Sequence, residues 1–272
     1  MAGRAAVFRL LPFSREETAK AGFFQGGYPE AVAKPSTAQT WFRSYVQTYL
    51  ERDVRALCDV RDLSTYRRFM ALLATRTGRI INRTELASSL GVSVPTISSW
   101  LSVLEITGHI LLVPPFFENF GKRLVKSSKV YFLDSGLACH LVGIESEQAL
   151  NRSPFLWPIF EGFVASEIVK MQINSNRSQQ IFFFRDRLGL EVDFLVPLGE
   201  RRLALLEAKA TRTPGTDDAE PVRRLAASIR KHELVKCVVH RKARGGGAVR
   251  NLGDDVRAVT VDGLRARLYG HR

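Results

Sequence analysis

Three side chains in the second half of the chain have the types and spacing for chemistry on a phosphate: Asp193, Glu207 and Lys209. Alternate residues of a strand face the same side, so Glu207 and Lys209 share a face of the run Leu203-Ala204-Leu205-Leu206-Glu207-Ala208-Lys209. Strands predicted over 190–196 and 203–208 would form a hairpin around Gly199 and set Asp193 beside Glu207. Two adjacent carboxylates repel, and a divalent cation between them relieves the repulsion. Mg²⁺ takes oxygen ligands and keeps several waters, so Asp193 and Glu207 are its expected ligands. Lys209 could then orient a water and stabilise charge developing on a phosphate. These are the parts of a Mg²⁺-dependent phosphodiester hydrolase. The competing reading is an exposed Glu–Lys pair worth under about 1 kcal/mol, but the flanking residues are too apolar for an exposed edge.

The spacing Asp-x13-Glu-x-Lys resembles the PD-(D/E)XK nuclease-like fold, in which a helix bearing a carboxylate precedes the metal-binding hairpin. The resemblance assigns that position to Glu161, within Phe160-Glu161-Gly162-Phe163-Val164 on a helix predicted over 158–172. Glu167 fits the position less well. The implied catalytic set is Glu161, Asp193, Glu207 and Lys209. Arg223, Arg224 and Arg230, on a helix predicted over 217–231, are candidates for backbone phosphates. A degenerate nuclease-like domain that only binds is the alternative.

A second constellation precedes it. Residues 84–90 read as a short helix closed by Gly91. Ser93 can cap the next helix and Pro95 suits its first turn, which is expected over 94–107 with Ile97, Leu101 and Leu104 inward. Strands at 110–113 and 130–132 follow, joined by a basic loop. Helix, tight turn, capped helix and hairpin in that order describe a winged helix-turn-helix. In such a unit Ser93, Thr96, Ser98 and Ser99 would meet bases or phosphates, and Lys122, Arg123, Lys126 and Lys129 of the wing would neutralise phosphates. A winged helix used for protein docking is the other reading.

Upstream, residues 1–75 read as helical. Gly26-Gly27-Tyr28-Pro29 is a turn. The run 37–58 has neither Gly nor Pro and presents Trp41, Tyr45, Tyr49 and Val54 at helical spacing. A helix over 64–75 would turn Phe69, Leu72 and Leu73 inward, with Ser64 as its cap. Beyond residue 145, strands at 181–185, 190–196, 203–208, 234–240 and 257–261 alternate with helices. The expected fold class is therefore α+β or α/β: a helical segment over 1–75, a winged helix-turn-helix over 76–145 and a nuclease-like domain over 146–272.

Composition sets the outer bounds. The 272 residues carry 40 Lys and Arg against 27 Asp and Glu, a net charge of +13. Such a surplus favours nucleic acid as a partner. Hydrophobic residues make up 45% of the chain, enough for a substantial core, and no apolar stretch is long enough for a membrane span. Cys58, Cys139 and Cys237 have neither zinc nor disulfide spacing and read as thiols of a cytoplasmic protein.

Taken in order, the pieces resemble the C-terminal region of a large group of prokaryotic AAA-type ATP-binding proteins, in which a winged helix and a nuclease-like region form a domain of unknown function. The resemblance is carried by Gly26-Gly27-Tyr28-Pro29-Glu30, Tyr49-Leu50-Glu51-Arg52-Asp53, Tyr131-Phe132-Leu133-Asp134-Ser135-Gly136-Leu137, Phe160-Glu161, Glu191-Val192-Asp193-Phe194 and Glu207-Ala208-Lys209, with Gly3-Arg4 and Leu11-Pro12 near the start. It implies an association with ATP hydrolysis, yet no Gly-x4-Gly-Lys-Ser/Thr run occurs in this sequence, so no ATP site is expected in it. The implied partners are DNA, a separate P-loop ATPase or a second copy, and no membrane. The competing functions are a nuclease-like nucleic-acid binder, a non-catalytic regulatory or docking module, and a remnant without a present role.

Overall fold

The computed structural model describes residues 9–54, 63–116, 127–242 and 250–270. The protein is mixed α+β, with ten α-helices and two sheets among the described residues. Its N-terminal half is built from α1 (Pro29–Ala33), α2 (Ala38–Thr48), α3 (Leu63–Ala74), α4 (Arg83–Leu90) and α5 (Val94–Ile106), followed by strands β1 (Ile110–Val113) and β2 (Lys129–Phe132). After α6 (Ser135–Leu141), α7 (Glu147–Arg152) and the long α8 (Leu156–Asn174) come strands β3 (Phe182–Arg185), β4 (Glu191–Pro197) and β5 (Arg202–Lys209), helix α9 (Glu220–Ser228), strands β6 (Glu233–His240), β7 (Arg250–Asn251) and β8 (Arg257–Thr260), and helix α10 (Val261–Tyr269).

Local chemistry explains the N-terminal elements. The Asn82 side chain caps α4 at the Glu85 N–H, and Gly91 ends that helix at φ 68°, a left-handed conformation that glycine reaches without strain. Ser93 accepts from the Thr96 N–H and starts α5. The axes of α4 and α5 differ by 107°. Residues 78–81 run beside β2, with Gly78 donating to the Val130 carbonyl and Ile81 to that of Ser128. Ile97, Trp100, Leu101 and Leu104 of α5 join Phe42, Tyr66, Phe69 and Leu73 in one core that runs from Ala31 to Ala138.

Two expected helices are shorter than the sequence suggested. The run 37–58 is α-helical only to Thr48, then widens into a π-helical turn over Tyr49–Val54; residues 55–58 lie outside the described residues. Its inward residues are Phe42, Val46 and the expected Tyr49 and Val54, whereas Trp41 and Tyr45 stack on each other at the rim, 4.9 Å between ring centres. Neighbouring apolar stripes on one helix cannot be ranked by periodicity alone. The helix expected over 217–231 begins as a 3₁₀ turn, Asp217–Ala219, and ends at Ser228.

Asp134 joins two of the sequence signatures. Buried beneath the surface, it accepts from the Gly27 N–H at 2.7 Å and caps α6 by accepting from the Leu137 N–H at 2.8 Å. Gly26 sits at φ 75° against the same carboxylate, where any Cβ would overlap it.

The larger sheet has the order β3-β4-β5-β6-β8-β7. Strands β3, β4 and β5 form an antiparallel meander, β5, β6 and β8 are parallel, and β7 pairs antiparallel with β8. Parallel strands are covered on both faces. Helices α8 and α10 lie over Phe194, Leu206, Val239 and Val259, and α9 lies over Leu195, Leu205 and Val238. Residues 159–172 of α8 are buried apart from Glu161, because this helix packs on the sheet and on β2 together. Past β1, the chain pairs with β3 through Phe183 N–H to Pro114 and Phe116 N–H to Phe183, which locks the β1–β2 hairpin onto the sheet edge. Among the described residues no single helix is long and apolar enough to cross a membrane.

Candidate functional site

The hairpin of β4 and β5 positions the acidic residues. Phe194 pairs with Leu206, so one further step of that register sets Asp193 opposite Glu207. Asp193 Oδ2 accepts from the Ala208 N–H at 2.9 Å. Lys209 Nζ donates to Glu207 Oε1 at 2.9 Å, as expected for i and i+2 on a strand. Glu207 Oε2 is buried and has no hydrogen-bond partner among the described residues.

Glu161 approaches from α8. Its Oε1 accepts from the Tyr131 hydroxyl at 2.5 Å and from Lys129 Nζ at 3.0 Å, while Oε2 lies against Gly78. Lys129 is the centre of the arrangement. Its ammonium is 2.6 Å from Glu191 Oε1 and 3.7 Å from Asp193 Oδ1 as well, and its side chain is only 4% exposed. The Phe183 ring lies 5.5 Å away. Four carboxylates, two ammonium groups and a phenol thus form one partly buried network assembled from α8, β2, β4 and β5.

Burial and mutual repulsion set the charge states. Desolvation, reinforced by Asp193, pushes Glu161 up to about 7 and Glu207 up to about 8, against the lowering pull of Lys129 and Lys209 respectively. Burial alone would lower Lys129, but Glu161, Asp193 and Glu191 together outweigh it and raise its affinity for the proton. The same contest, won by Glu207, raises Lys209. Burial first and Glu161 second hold Tyr131 well above the ordinary tyrosine range, so it stays a donor.

The donor set does not suit a divalent ion in this arrangement. Among the described residues no group of three His, Cys, Asp or Glu side chains could hold a metal. The reason is visible in the contacts: the Lys129 ammonium stands between Glu161, Glu191 and Asp193, a backbone N–H takes one Asp193 oxygen, and Lys209 takes one oxygen of Glu207. Two ammonium groups supply part of the positive charge a cation would bring.

The structure brings Glu161, Asp193, Glu207 and Lys209 into this network, and it separates them from Glu167. That residue instead pairs with Lys170 at 3.2 Å and accepts from the Arg15 N–H at 2.8 Å, pinning the N-terminal segment. On α5, Ser93 and Ser99 are exposed and Thr96 and Ser98 half-buried, with the Ser93 hydroxyl committed to the cap and to Thr96. Lys122, Arg123 and Lys126 lie outside the described residues. Lys129 was expected with them, facing phosphate; it faces inward and is ion-paired. Arg224 and Arg230 are exposed, but Arg223 is engaged by Glu220 and by the Leu252 and Thr216 carbonyls. Lys129, Tyr131 and Glu191 were not anticipated as parts of the site. The available signal was Lys-x-Tyr on an apolar strand, two polar groups on one face, opposite a carboxylate helix.

Residues 16–148 match the model of a domain of unknown function, DUF8612, and residues 158–252 match that of a second domain of unknown function, DUF4143. Two proteins described as uncharacterized, Mb2031c of Mycobacterium bovis and Rv2008c of Mycobacterium tuberculosis, are each 30% identical to the chain over 220 residues. That stretch is 79% of this chain and 49% of theirs, so the chain spans about half the length of the curated relatives it matches. No solved structure matches it.

Proposed function

We propose that this chain is the nucleic-acid-binding, nuclease-like portion of an AAA-type ATP-binding protein, in which α4, α5 and the β1–β2 hairpin act as a winged helix and the six-stranded sheet with α8 as a PD-(D/E)XK-like domain. The observation that carries the reading is the convergence of Glu161, Asp193, Glu207 and Lys209 from α8, β4 and β5. The net charge of +13 and the exposed hydroxyls of α5 support DNA as the partner. The motif resemblance, together with relatives of which the chain spans about half the length, supports a P-loop module as the other part of the assembly.

Within that reading we place binding ahead of hydrolysis. Lys129 supplies the cation's charge, so in this arrangement the domain offers no open metal seat and works as a binding or docking module. Hydrolysis with Mg²⁺ is the second reading. It is favoured by one observation, the buried and unpartnered Glu207 Oε2, and it requires Lys129 to leave.

Two measurements separate these. Anisotropy titrations with duplex DNA over a range of salt should show binding whose affinity falls as salt rises; salt-independent binding, or none, removes the nucleic-acid reading. Incubation with supercoiled, linear and single-stranded DNA plus Mg²⁺ or Mn²⁺ should leave the DNA intact. Cleavage that is abolished by Asp193→Ala would restore the hydrolytic reading.

A further inference from the structure

A cavity of about 220 Å³ opens beyond the C-terminal ends of the parallel strands β5, β6 and β8. In open sheets with parallel strands this is where ligands tend to bind. Its walls carry Arg15, Arg212, Arg241 and Lys242, and Phe160 and Phe163 contribute an apolar side. His240, the register partner of Lys209, also lines it, so the cavity lies at the same end of the sheet as Lys209.

The charges there are unbalanced. Glu147 lies 3.6 Å from Arg241, and Asp262 2.8 Å from Arg15. These two are the carboxylates on the walls, against four cationic side chains. Arg212 spends one N–H on the Lys242 carbonyl, at 2.9 Å. Arg241 is fixed in place: its side chain is 9% exposed, it donates to Asn151 at 2.7 Å, and its guanidinium covers the Phe23 ring at 4.7 Å. Burial and the neighbouring Arg212 charge together hold Arg241 below the ordinary arginine range. A buried cation facing like charge is stabilised by an anion. The N-terminus of α10 adds its share, because Thr260 makes no side-chain cap and the first turn of the helix forms part of the wall.

We propose that this cavity binds a phosphate group, as free phosphate or as the terminal phosphate of a nucleotide. Arg212 and Lys242, both exposed at the mouth, would meet its oxygens, and Arg241 would provide the fixed charge beneath. The volume falls below the roughly 300–1,000 Å³ of sites that enclose a whole drug-sized ligand, and it suits one phosphate with its attached sugar. The proposal does not depend on whether the acidic network is catalytic.

Calorimetric titration of the full chain at low ionic strength with inorganic phosphate, AMP and adenosine tests it. Phosphate and AMP should bind and adenosine should not. AMP binding tighter than phosphate identifies a nucleotide source, and equal affinities identify free phosphate. The pair Arg212→Glu with Lys242→Glu, both exposed and tolerable to the fold, should weaken AMP and phosphate binding at least about tenfold with an unchanged circular dichroism spectrum. Failure of both phosphate and AMP to bind the wild type overturns the proposal, and so does unchanged affinity in that folded pair variant.

Discussion

Replacing Lys129 with methionine removes one charge from the acidic network while keeping most of the side-chain volume. At an effective dielectric constant of about 20, ion pairs at 2.6, 3.0 and 3.7 Å each attract by about 4 to 6 kcal/mol. Desolvation offsets much of that, and removing one partner of a buried pair typically costs about 3–5 kcal/mol. Glu191 is 32% exposed and can rehydrate, whereas Glu161 and Asp193 are 17% and 13% exposed and cannot do so fully. The expected loss of unfolding free energy is therefore about 3–5 kcal/mol at pH 8.5, above the value of about 7 to which Glu161 is raised. At pH 5.5 Glu161 can take a proton instead, and the loss should shrink to about 1–3 kcal/mol. Urea unfolding followed by circular dichroism at both pH values measures this. Adding Mn²⁺ should recover stability in Lys129→Met and not in the wild type, because the variant frees three carboxylates for a cation. A variant as stable as wild type at pH 8.5, or a deficit that is no smaller at pH 5.5, would refute the role of Lys129 as internal counter-ion.

Three further outcomes are expected. Glu161 and Glu207 have folded-state values of about 7 and 8, above the ordinary 4.5, so the native protein holds protons that the unfolded chain releases. Their contribution is complete below about pH 4.5 and is lost as pH rises through 7 to 8, by up to about 1.4 kcal/mol per pH unit for each retained proton; Glu161→Gln with Glu207→Gln should flatten that slope in urea titrations. Asp134→Ala removes the α6 cap and the Gly27 anchor together, and thermal unfolding should show a loss of about 2–4 kcal/mol. Changing Lys122, Arg123 and Lys126 together to alanine should weaken duplex DNA binding at all sequences alike and reduce the salt slope by about 3, read by anisotropy.

Much of the architecture was legible in the residues. The cap at Ser93, the helix end at Gly91, the hairpin carrying Asp193 and Glu207, and the long helix bearing Glu161 all follow from local propensity and period, which act over a few residues at a time. The breaks were less legible. The π-turn after Thr48 and the early end of α9 at Ser228 depend on what those helices pack against, and no run of residues announces that.

The four expected site residues could be named from spacing because a strand shows alternate side chains on one face and a helix before a hairpin has few places to pack. What spacing could not assign was the partner of each charge. Lys129 looks, in sequence, like one more cation of a basic loop. Only the pairing of residues 114–116 with β3, which docks the β1–β2 hairpin on the sheet edge, carries its ammonium into the carboxylates. The sequence determined which groups of chemical character the chain owns and on which faces they stand. Tertiary structure decided which of them neutralise one another, because electrostatic energy depends on distance in space and on the exclusion of water, and neither is a property of position along the chain.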